Sequence, residues 1–243
     1  CNRHIKFDAL LTRARQLGFD VVATGHHAQI VETERGRRLA RGRDAAKDQS
    51  YVLYMLGEED LSMLEFPVGQ MTKSEVREIA HDLDLRSASK PDSQDVCFIT
   101  ADEGRERFLS DRLQLNPGEV VDREGNSLGK VDAVELVTVG QRKGLNLGGK
   151  TGRSYAVSVD VKSRRVVAGA AEELLTSTLQ LRDHVWVDEP HVGPARLQIS
   201  AHASPNTGDL DVNGNVTWSE PRRKVAPGQA VVFYVDDIVV GGA

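Results

Sequence analysis

The sequence contains very little cysteine, since Cys1 and Cys97 are the only thiols in 243 residues. Small secreted domains stapled by disulfides carry more cysteines at closer spacing. The scarcity therefore argues against such a scaffold and favours a reducing compartment. Two isolated cysteines in that setting are catalytic, metal-binding or simply packed as small apolar side chains. Composition alone leaves these alternatives open.

Long apolar runs are also missing. No segment approaches the roughly 20 consecutive apolar residues that a membrane helix needs. Hydrophobic residues still make up 40% of the chain and charged residues 28%. This composition predicts a soluble globular protein, long enough for one large domain or several small ones. Because the first residue is Cys rather than Met, we expect the sequence to begin inside a longer protein.

The chain lacks a net positive charge, its formal net charge being -5. A surface that binds nucleic acid everywhere is therefore excluded, although the cations are clustered. Three clusters on different segments are suited to following a polyanion, while each one alone is more typical of a solvated loop or hairpin rim. The clusters are Arg35, Arg37, Arg38, Arg41, Arg43 and Lys47; Arg142 and Lys143; and Arg222, Arg223 and Lys224.

The first part of the chain alternates between helix and strand patterns. Apolar residues spaced three and four apart predict a helix that ends at Gly18, and Val21 to Ala23 predict a short buried strand before a glycine turn. Thr72 and Glu75 have capping-box spacing and predict the start of another helix. The pattern is typical of an α/β domain, in which ligands bind beyond the carboxyl ends of the strands.

Short strands separated by turns replace this alternation from about Gly118. Val134 to Val139 and Tyr155 to Val161 are among the predicted strands, and the regular short strands from about Leu179 predict a small β-barrel. We therefore predict three domains. They are an α/β domain of residues 1–64 and 87–103, a mostly β central domain of residues 65–86 and 104–178, and a C-terminal β-barrel of residues 179–243.

Residues 144–151 fit the phosphate-binding pattern GxxxxGK[ST]. That loop holds phosphate only when a helix leaves it, whereas the alternating residues from Tyr155 onward predict a strand. We therefore predict a glycine-rich hairpin at this position. The alternative is a P-loop nucleoside triphosphatase that depends on Lys150.

Seven short motifs occur in one order along the whole chain: Cys1 to Phe7, Ala23 to His26, Lys47 to Tyr51, Phe66 to Gly69, Asp92 to Phe98, Gly140 to Gly144 and Pro227 to Gln229. Together they resemble the tRNA 2-thiouridylase (MnmA) family. The resemblance implies that the α/β domain is part of an ATP-pyrophosphatase fold, similar to adenine nucleotide alpha hydrolases. It also implies an enzyme that uses ATP to replace the C2 oxygen of the wobble uridine of tRNA with sulfur.

The resemblance assigns roles to both cysteines. ATP, with Mg²⁺, adenylates the C2 oxygen so that it becomes a leaving group, and Cys97 carries sulfur as a persulfide. Cys1 is the nucleophile, and a Cys1–Cys97 disulfide forms in the cycle until a reductant resets it. Asp92 and Asp95 flank Cys97 and disfavour its thiolate, so the local sequence leaves an unreactive thiol as the alternative. A cysteine desulfurase or sulfur-relay protein is the implied sulfur donor, and the cytoplasm the implied location.

The family motifs also imply binding residues. Gly25 matches a backbone contact with ATP, and no resident metal site is expected. Lysine suits phosphate, whereas Asp and Gln suit sugar or base edges. The implied tRNA contacts are His26, Lys47, Asp48, Gln49 and Gln229. Ala201 and His202 stand where the family has Arg-Tyr, which puts the barrel's contribution to tRNA binding in doubt.

Two family segments do not occur in the 243 residues: the Ser-Gly-Gly-x-Asp-Ser loop for ATP and the Asn-Pro-Asp contacts to the target base. We therefore expect this chain alone to bind ATP poorly, to expose part of an unfinished core and to leave tRNA unthiolated. The alternative to an enzyme is a noncatalytic RNA-binding module with structural cysteines.

Overall fold

The computed structural model describes residues 7–89, 104–148 and 153–243, with side chains 104–106 excepted. The chain forms two compact units. The first unit contains Cys1–Lys90, Thr178–Ser219 and Gln229–Ala243, and the second contains Pro91–Ser177 and Glu220–Gly228. The domain boundaries predicted from the sequence stay a prediction.

Helices are concentrated in the early part of the described chain and strands in the later part. The α-helices are α1 (Leu10–Gln16), α2 (Glu58–Ser62), α3 (Lys73–Asp82) and α4 (Gly104–Ser110). The strands are β1 (Val22–Ala23), β2 (Ala28–Thr33), β3 (Gly36–Arg41), β4 (Leu64–Glu65), β5 (Gly118–Val121), β6 (Ser127–Val131), β7 (Tyr155–Asp160), β8 (Arg165–Gly169), β9 (Leu175–Leu179), β10 (Val185–Trp186), β11 (Gly193–Gln198), β12 (Asn206–Leu210), β13 (Val216–Arg223), β14 (Val232–Val235) and β15 (Ile238–Gly242). No helix in the described ranges is long and apolar enough to cross a membrane.

The α/β part of the first unit begins with α1, whose Leu11 and Ala14 are buried. The helix ends beside Gly18, which has a φ of 75°, a conformation that glycine adopts without steric cost. β1 then runs parallel to β4, with Val22 opposite Leu64. The predicted helix and the predicted strand are therefore both present. The strand is less buried than predicted, since Val21 and Ala23 are exposed and Val22 is half-buried among the described residues.

Helix α3 begins with the predicted capping box. The Thr72 hydroxyl accepts from the backbone N–H of Glu75, and the Glu75 carboxylate accepts from the backbone N–H of Thr72. Both bonds satisfy donors that the first turn of a helix leaves unpaired. Ile79 of this helix and Leu83 directly after it are exposed among the described residues.

A large antiparallel sheet occupies most of the first unit, with the strand order β2-β3-β15-β14-β11-β12-β13 and β10 paired to β15. The hairpin β2–β3 belongs to the early part of the sequence, yet it joins the C-terminal strands through the pairing of Ala40 with Ile238. One core therefore unites the two parts. Its members include Phe7, Leu11, Leu39, Leu53, Leu61, Val232, Tyr234 and Val239.

The second unit contains a four-stranded sheet in the order β6-β5-β8-β7, in which β5 and β8 run parallel. Its core contains Val120, Val166 and Leu145 among other apolar residues. The strand predicted for Val134 to Val139 is wrong, because Val134–Leu136 forms a 3-10 helix. The Glu135 carboxylate accepts hydrogen bonds from the backbone and side-chain amides of Asn116, and Val134 is fully buried. These contacts hold the segment in a turn.

The GxxxxGK[ST] segment leads into β7, as predicted, and not into a helix. Leu147 forms an isolated antiparallel bridge with Gly129. A P-loop needs a helix amino end after the glycines, so this arrangement argues against one. Lys150 itself lies outside the described residues.

Candidate functional site

Gly25 lies just beyond the carboxyl end of β1, where an α/β sheet binds ligands. A Cβ atom added at this position would meet no described atom within 4 Å, and its φ is not positive. Neither packing nor backbone conformation in the described chain therefore requires glycine here. The open space leaves room for the predicted approach of a nucleotide to the backbone, and the role of Gly25 stays a prediction.

His26 is half-buried beside Gly25. A hydrogen bond of 2.8 Å joins its Nδ1 to the Thr24 hydroxyl. The ring centroids of Phe7 and Phe66 lie 5.7 Å and 6.0 Å from that of the imidazole. The ring is therefore held in a defined position at the end of the strand.

Lys47, Asp48 and Gln49 lie between β3 and a short 3-10 helix, Ser50–Val52. Lys47 and Gln49 are exposed, whereas only 8% of Asp48 is accessible to solvent. The three neighbouring residues therefore have different environments, although the sequence motif groups them together.

The Asp48 carboxylate accepts four hydrogen bonds within the first unit. Its Oδ1 receives the backbone N–H groups of Gly42 at 2.9 Å and Ser50 at 3.0 Å. Its Oδ2 receives Arg41 Nε at 2.8 Å and the Ser50 hydroxyl at 3.0 Å. Because a carboxylate offers about four acceptor sites, these partners saturate Asp48. An external ligand finds little of this carboxylate available.

The network continues from Ser50 to Tyr234 of β14, whose hydroxyl lies 3.0 Å from the Ser50 oxygen. Ser50 has one hydroxyl proton and donates it to Asp48, so Tyr234 must donate to Ser50. Burial raises the pKa of Tyr234, and the hydroxyl stays protonated and able to donate at neutral pH. A chain of hydrogen bonds thus ties the segment after β3 to the β-barrel strands.

Gln49 is bound to the backbone of His27 by two hydrogen bonds. Its side-chain Oε1 accepts from His27 N at 2.9 Å, and its backbone N donates to His27 O at 2.8 Å. His27 follows His26 directly in the chain. Two of the predicted tRNA contacts are therefore held close together.

Gln229 comes from the far end of the sequence and joins the same region. Its Nε2 donates to the Tyr51 hydroxyl at 2.7 Å, and that hydroxyl donates to Ala230 O at 2.8 Å. Burial raises the pKa of Tyr51 and keeps it a neutral donor. The structure thus connects Gln229 to the Lys47–Tyr51 motif, although about 180 residues separate them in the chain.

Cys1 and Cys97 both lie outside the described residues, so their predicted roles are not tested by the structure. Within the described ranges, no cluster of three or more His, Cys, Asp or Glu residues is arranged to hold a metal ion.

The first basic cluster is largely engaged in ion pairs. Arg38 is 4% exposed and lies 2.8 Å from Asp188, with Glu58 at 3.5 Å. Arg35 and Lys47 are the exposed members at the ends of the cluster. The remaining pairs are Arg37 with Glu32, Arg41 with Asp48 and Arg43 with Glu75. Arg38 and Arg41 therefore pair with carboxylates within the fold, whereas the pairs of Arg37 and Arg43 lie at the surface, where an ion pair adds little stability. The RNA-binding role predicted for the cluster stays a prediction.

Sequence reasoning did not identify the groups that support the predicted contacts. They are the guanidinium of Arg41, the backbone N–H of Gly42 and the hydroxyls of Ser50, Tyr51 and Tyr234. The sequence gives a weak indication of this supporting role for Ser50 and Tyr51, because they directly follow the Lys-Asp-Gln motif and precede apolar residues. Their partners lie in distant strands, and a single sequence does not reveal that pairing.

A cavity of about 530 Å³ lies elsewhere in the first unit, between the β2–β3 turn and the segment that precedes β11. Arg38, Asp188, His191 and Asp236 are among its lining residues, and none of the predicted site residues is. The cavity is therefore separate from the candidate site.

Comparison with protein families divides the chain into three consecutive matches. Residues 1–101 match a tRNA methyl transferase HUP domain, residues 106–170 a tRNA methyl transferase PRC-barrel domain and residues 176–243 an aminomethyltransferase beta-barrel domain. These matches define the class, namely a HUP-like α/β domain followed by a PRC-barrel and a β-barrel. The predicted fold class is confirmed.

Individual relatives narrow this class. The "tRNA-specific 2-thiouridylase MnmA" of Chloroflexus aurantiacus is 44% identical over 253 residues, which cover 100% of this chain and 70% of the relative. The proteins of the same name from Roseiflexus sp. (strain RS-1) and Acidithiobacillus ferrooxidans are 40% and 41% identical to this chain, respectively. Each match covers the whole of this chain, and the matches cover 72% and 71% of the two relatives. The chain belongs to the tRNA-specific 2-thiouridylase MnmA family, and the predicted family is confirmed.

Proposed function

We propose that this chain provides the sulfur-transfer and tRNA-binding parts of a tRNA-uridine 2-sulfurtransferase. The observation that carries the proposal is the 44% identity, over the whole chain, to a protein named tRNA-specific 2-thiouridylase. The family descriptions name a methyl transferase instead, but they match the chain one domain at a time. The relatives that span all three domains agree on thiolation.

In the proposed reaction the C2 oxygen of the wobble uridine first attacks the α-phosphorus of ATP, which adenylates the base and releases pyrophosphate. The terminal sulfur of a Cys97 persulfide then bonds to C2, and AMP departs with the former carbonyl oxygen. The thiolate of Cys1 attacks Cys97 Sγ, the persulfide S–S bond breaks, and the sulfur stays on the base. The resulting Cys1–Cys97 disulfide needs two electrons from an external thiol before another turnover.

Gly25 is the proposed backbone contact for ATP, which enters as its Mg²⁺ complex. The open space at its α-carbon supports this assignment. We propose the cytoplasm as the location. A cysteine desulfurase or a sulfur-relay protein is the proposed donor of the persulfide sulfur.

His26, Lys47, Gln49 and Gln229 are the proposed tRNA contacts. Lys47 supplies charge for a phosphate, whereas the amides of Gln49 and Gln229 supply hydrogen bonds for sugar or base edges. Asp48 belongs to the same motif, but its saturated carboxylate supports a role in holding its neighbours.

The experiment that tests this function is a thiolation assay on the full-length protein, with an unmodified tRNA transcript, ATP and a persulfide donor. We expect 2-thiouridine in the digested tRNA, detected by mass spectrometry, and none with Cys97→Ser or Cys1→Ser. Ser93→Ala, a nearby substitution that removes no thiol, is the control. Unchanged thiolation in both cysteine variants would favour a noncatalytic module, and a methylated base would favour the methyl transferase description.

We further propose that the 243 residues alone leave tRNA unthiolated, because the Ser-Gly-Gly-x-Asp-Ser and Asn-Pro-Asp segments do not occur among them. ATP-dependent formation of 2-thiouridine by this chain by itself would contradict that statement.

A further inference from the structure

Gln49 and Gln229 are both exposed, and each has one end of its side-chain amide bound to the protein. We propose that Tyr51 is a positioning residue that fixes the amide of Gln229 so that its carbonyl oxygen is presented to RNA. The backbone of His27 fixes Gln49 in the opposite sense, with its NH₂ group presented. The proposal rests on the proposed function, because it assumes that these residues contact tRNA.

The orientation of Gln229 follows from the number of protons on Tyr51. The tyrosine hydroxyl has one proton, which it donates to Ala230 O at 2.8 Å. The same hydroxyl therefore only accepts from Gln229, and the nearer amide atom, at 2.7 Å, must be the NH₂ nitrogen. Oε1 of Gln229 has no hydrogen-bond partner among the described residues and remains available as an acceptor.

The orientation of Gln49 is set by a donor that cannot change its role. The backbone N–H of His27 donates to the Gln49 side chain at 2.9 Å, so the amide atom on that side must be the oxygen. Nε2 of Gln49 has no partner in the described part of the chain and keeps two protons to donate. The second bond, from Gln49 N to His27 O, prevents the backbone from turning the side chain away.

One short segment holds both amides, because Gln49 and Tyr51 flank Ser50. Ser50 is fully buried, and its hydroxyl and backbone N–H both bind Asp48. Tyr51 is 6% exposed and its ring lies in the core. A fully satisfied buried network of this kind restricts motion of the segment that carries it. The Asp48 network therefore supports the orientation of both amides.

The two amides offer complementary chemistry. A donor at Gln49 suits a phosphate or carbonyl oxygen, and an acceptor at Gln229 suits a ribose 2′-hydroxyl or a base N–H group. If the Gln229 amide were free to flip, it would present a donor half of the time and lose this selectivity. The Tyr51 hydroxyl thus affects RNA recognition without contacting RNA.

The test is a double-mutant cycle for binding of an unmodified tRNA transcript to the full-length protein. Tyr51→Phe keeps the buried ring and removes the hydroxyl, and we expect Kd to rise by about three- to tenfold, the effect of one hydrogen bond. Gln229→Ala should weaken binding by a similar factor. In the Gln229→Ala background Tyr51→Phe should have no further effect, because its action passes through Gln229.

Tyr54→Phe is the matched control, since the Tyr54 hydroxyl has no hydrogen-bond partner among the described residues and its loss should leave Kd unchanged. Equal weakening by Tyr51→Phe in both backgrounds would overturn the proposal and indicate a general structural role. An unchanged Kd for Tyr51→Phe, with a raised Kd for Gln229→Ala, would overturn it as well.

An NMR measurement without RNA separates this proposal from the proposed function. In the wild-type chain the two side-chain amide protons of Gln229 should differ in chemical shift by more than those of a solvent-exposed glutamine, because one of them is bound to the Tyr51 hydroxyl. In Tyr51→Phe the difference should fall to the value of an exposed glutamine. If the wild-type chain does not bind tRNA, the tRNA contacts proposed above fail, and these resonances still decide whether Tyr51 orients Gln229. Unchanged resonances in Tyr51→Phe would overturn the proposal irrespective of tRNA binding.

Discussion

The arginine-rich hairpin β2–β3 and the segment that follows it, residues 47–51, differ in how they use polar side chains. The hairpin contains four arginines, of which Arg37, Arg38 and Arg41 are paired with acidic residues, and Arg38 is buried. The following segment contains one lysine and an exposed neutral amide. A high density of cations in a sequence therefore does not locate an RNA surface, because the cations that remain available after folding determine binding.

The same contrast recurs between two adjacent residues. Lys47 is exposed, and Asp48 is buried and saturated by four hydrogen bonds. The structure therefore separates an exposed cation from a buried, structurally bound carboxylate within one sequence motif. Substitutions that affect only one of these two properties test the distinction.

The largest expected effect is on stability and comes from Asp48→Asn. The substitution removes the charge that compensates Arg41 and replaces one acceptor with a donor. Breaking a buried pair in this way lowers the free energy of unfolding by about 3–5 kcal/mol. Urea denaturation followed by tryptophan fluorescence measures the change. Lys47→Ala is the control and should stay within about 0.5 kcal/mol of wild type; equal effects of the two substitutions would contradict the distinction.

Arg38→Met should have the next largest effect. Methionine keeps much of the buried aliphatic stem but loses the pairing with Asp188 and Glu58. Because both carboxylates remain partly exposed to water, the expected loss is smaller, about 1.5–3 kcal/mol in the same unfolding experiment. Arg35→Met, at an exposed position of the same hairpin, should change stability little. A larger loss from Arg35→Met than from Arg38→Met would show that the ion pairs contribute nothing.

Lys47→Ala should affect binding and not folding. If Lys47 contacts one phosphate, its removal weakens tRNA binding and reduces the slope of log K against log salt by about 1. Fluorescence anisotropy over a series of salt concentrations measures this slope. An unchanged slope would remove Lys47 from the proposed interface.

The smallest expected effect concerns the capping box of α3. Two hydrogen bonds from Thr72 lower the pKa of Glu75 below its usual range. The larger effect comes from the backbone N–H of Thr72 and the smaller one from its hydroxyl. Because the pKa is lowered in the folded state, ionised Glu75 stabilises the fold. This contribution is complete above the ordinary glutamate pKa and is lost as the pH falls through the lowered value. The stability difference between wild type and Glu75→Gln should therefore shrink towards zero on acidification. If the stability difference between wild type and Glu75→Gln did not depend on pH, the ionised carboxylate of Glu75 would not be the group that stabilises the capping box.

Local features of the fold were accessible from the sequence. The capping box needs only Thr72 and Glu75, and the end of α1 needs only Gly18, so short-range spacing predicts both. The hairpin β2–β3 was missed because β3 combines buried Arg38 with buried Leu39 and Ala40, a pattern that does not alternate. The burial of Arg38 depends on Asp188, which is 150 residues away, and the residues around Arg38 do not indicate such a distant partner.

The candidate site shows the same limit. Family motifs identify Gly25, His26, Gln49 and Gln229, but they do not reveal what holds them. The bond between Ser50 and Tyr234 spans 184 residues, and the bond between Gln229 and Tyr51 spans 178. Such pairs depend on the register of the barrel strands, which the sequence pattern alone leaves undetermined.

We propose that the exposed residues Lys47, Gln49 and Gln229, and not the buried Arg38, contact tRNA. The most direct test of this proposal compares equilibrium binding of one unmodified tRNA transcript to wild type, Gln229→Ala and Arg38→Met, after circular dichroism has verified that each variant is folded. We expect Gln229→Ala to bind the tRNA transcript more weakly than wild type and Arg38→Met to bind it as tightly as wild type. Loss of binding in Arg38→Met, with wild-type binding in Gln229→Ala, would contradict it.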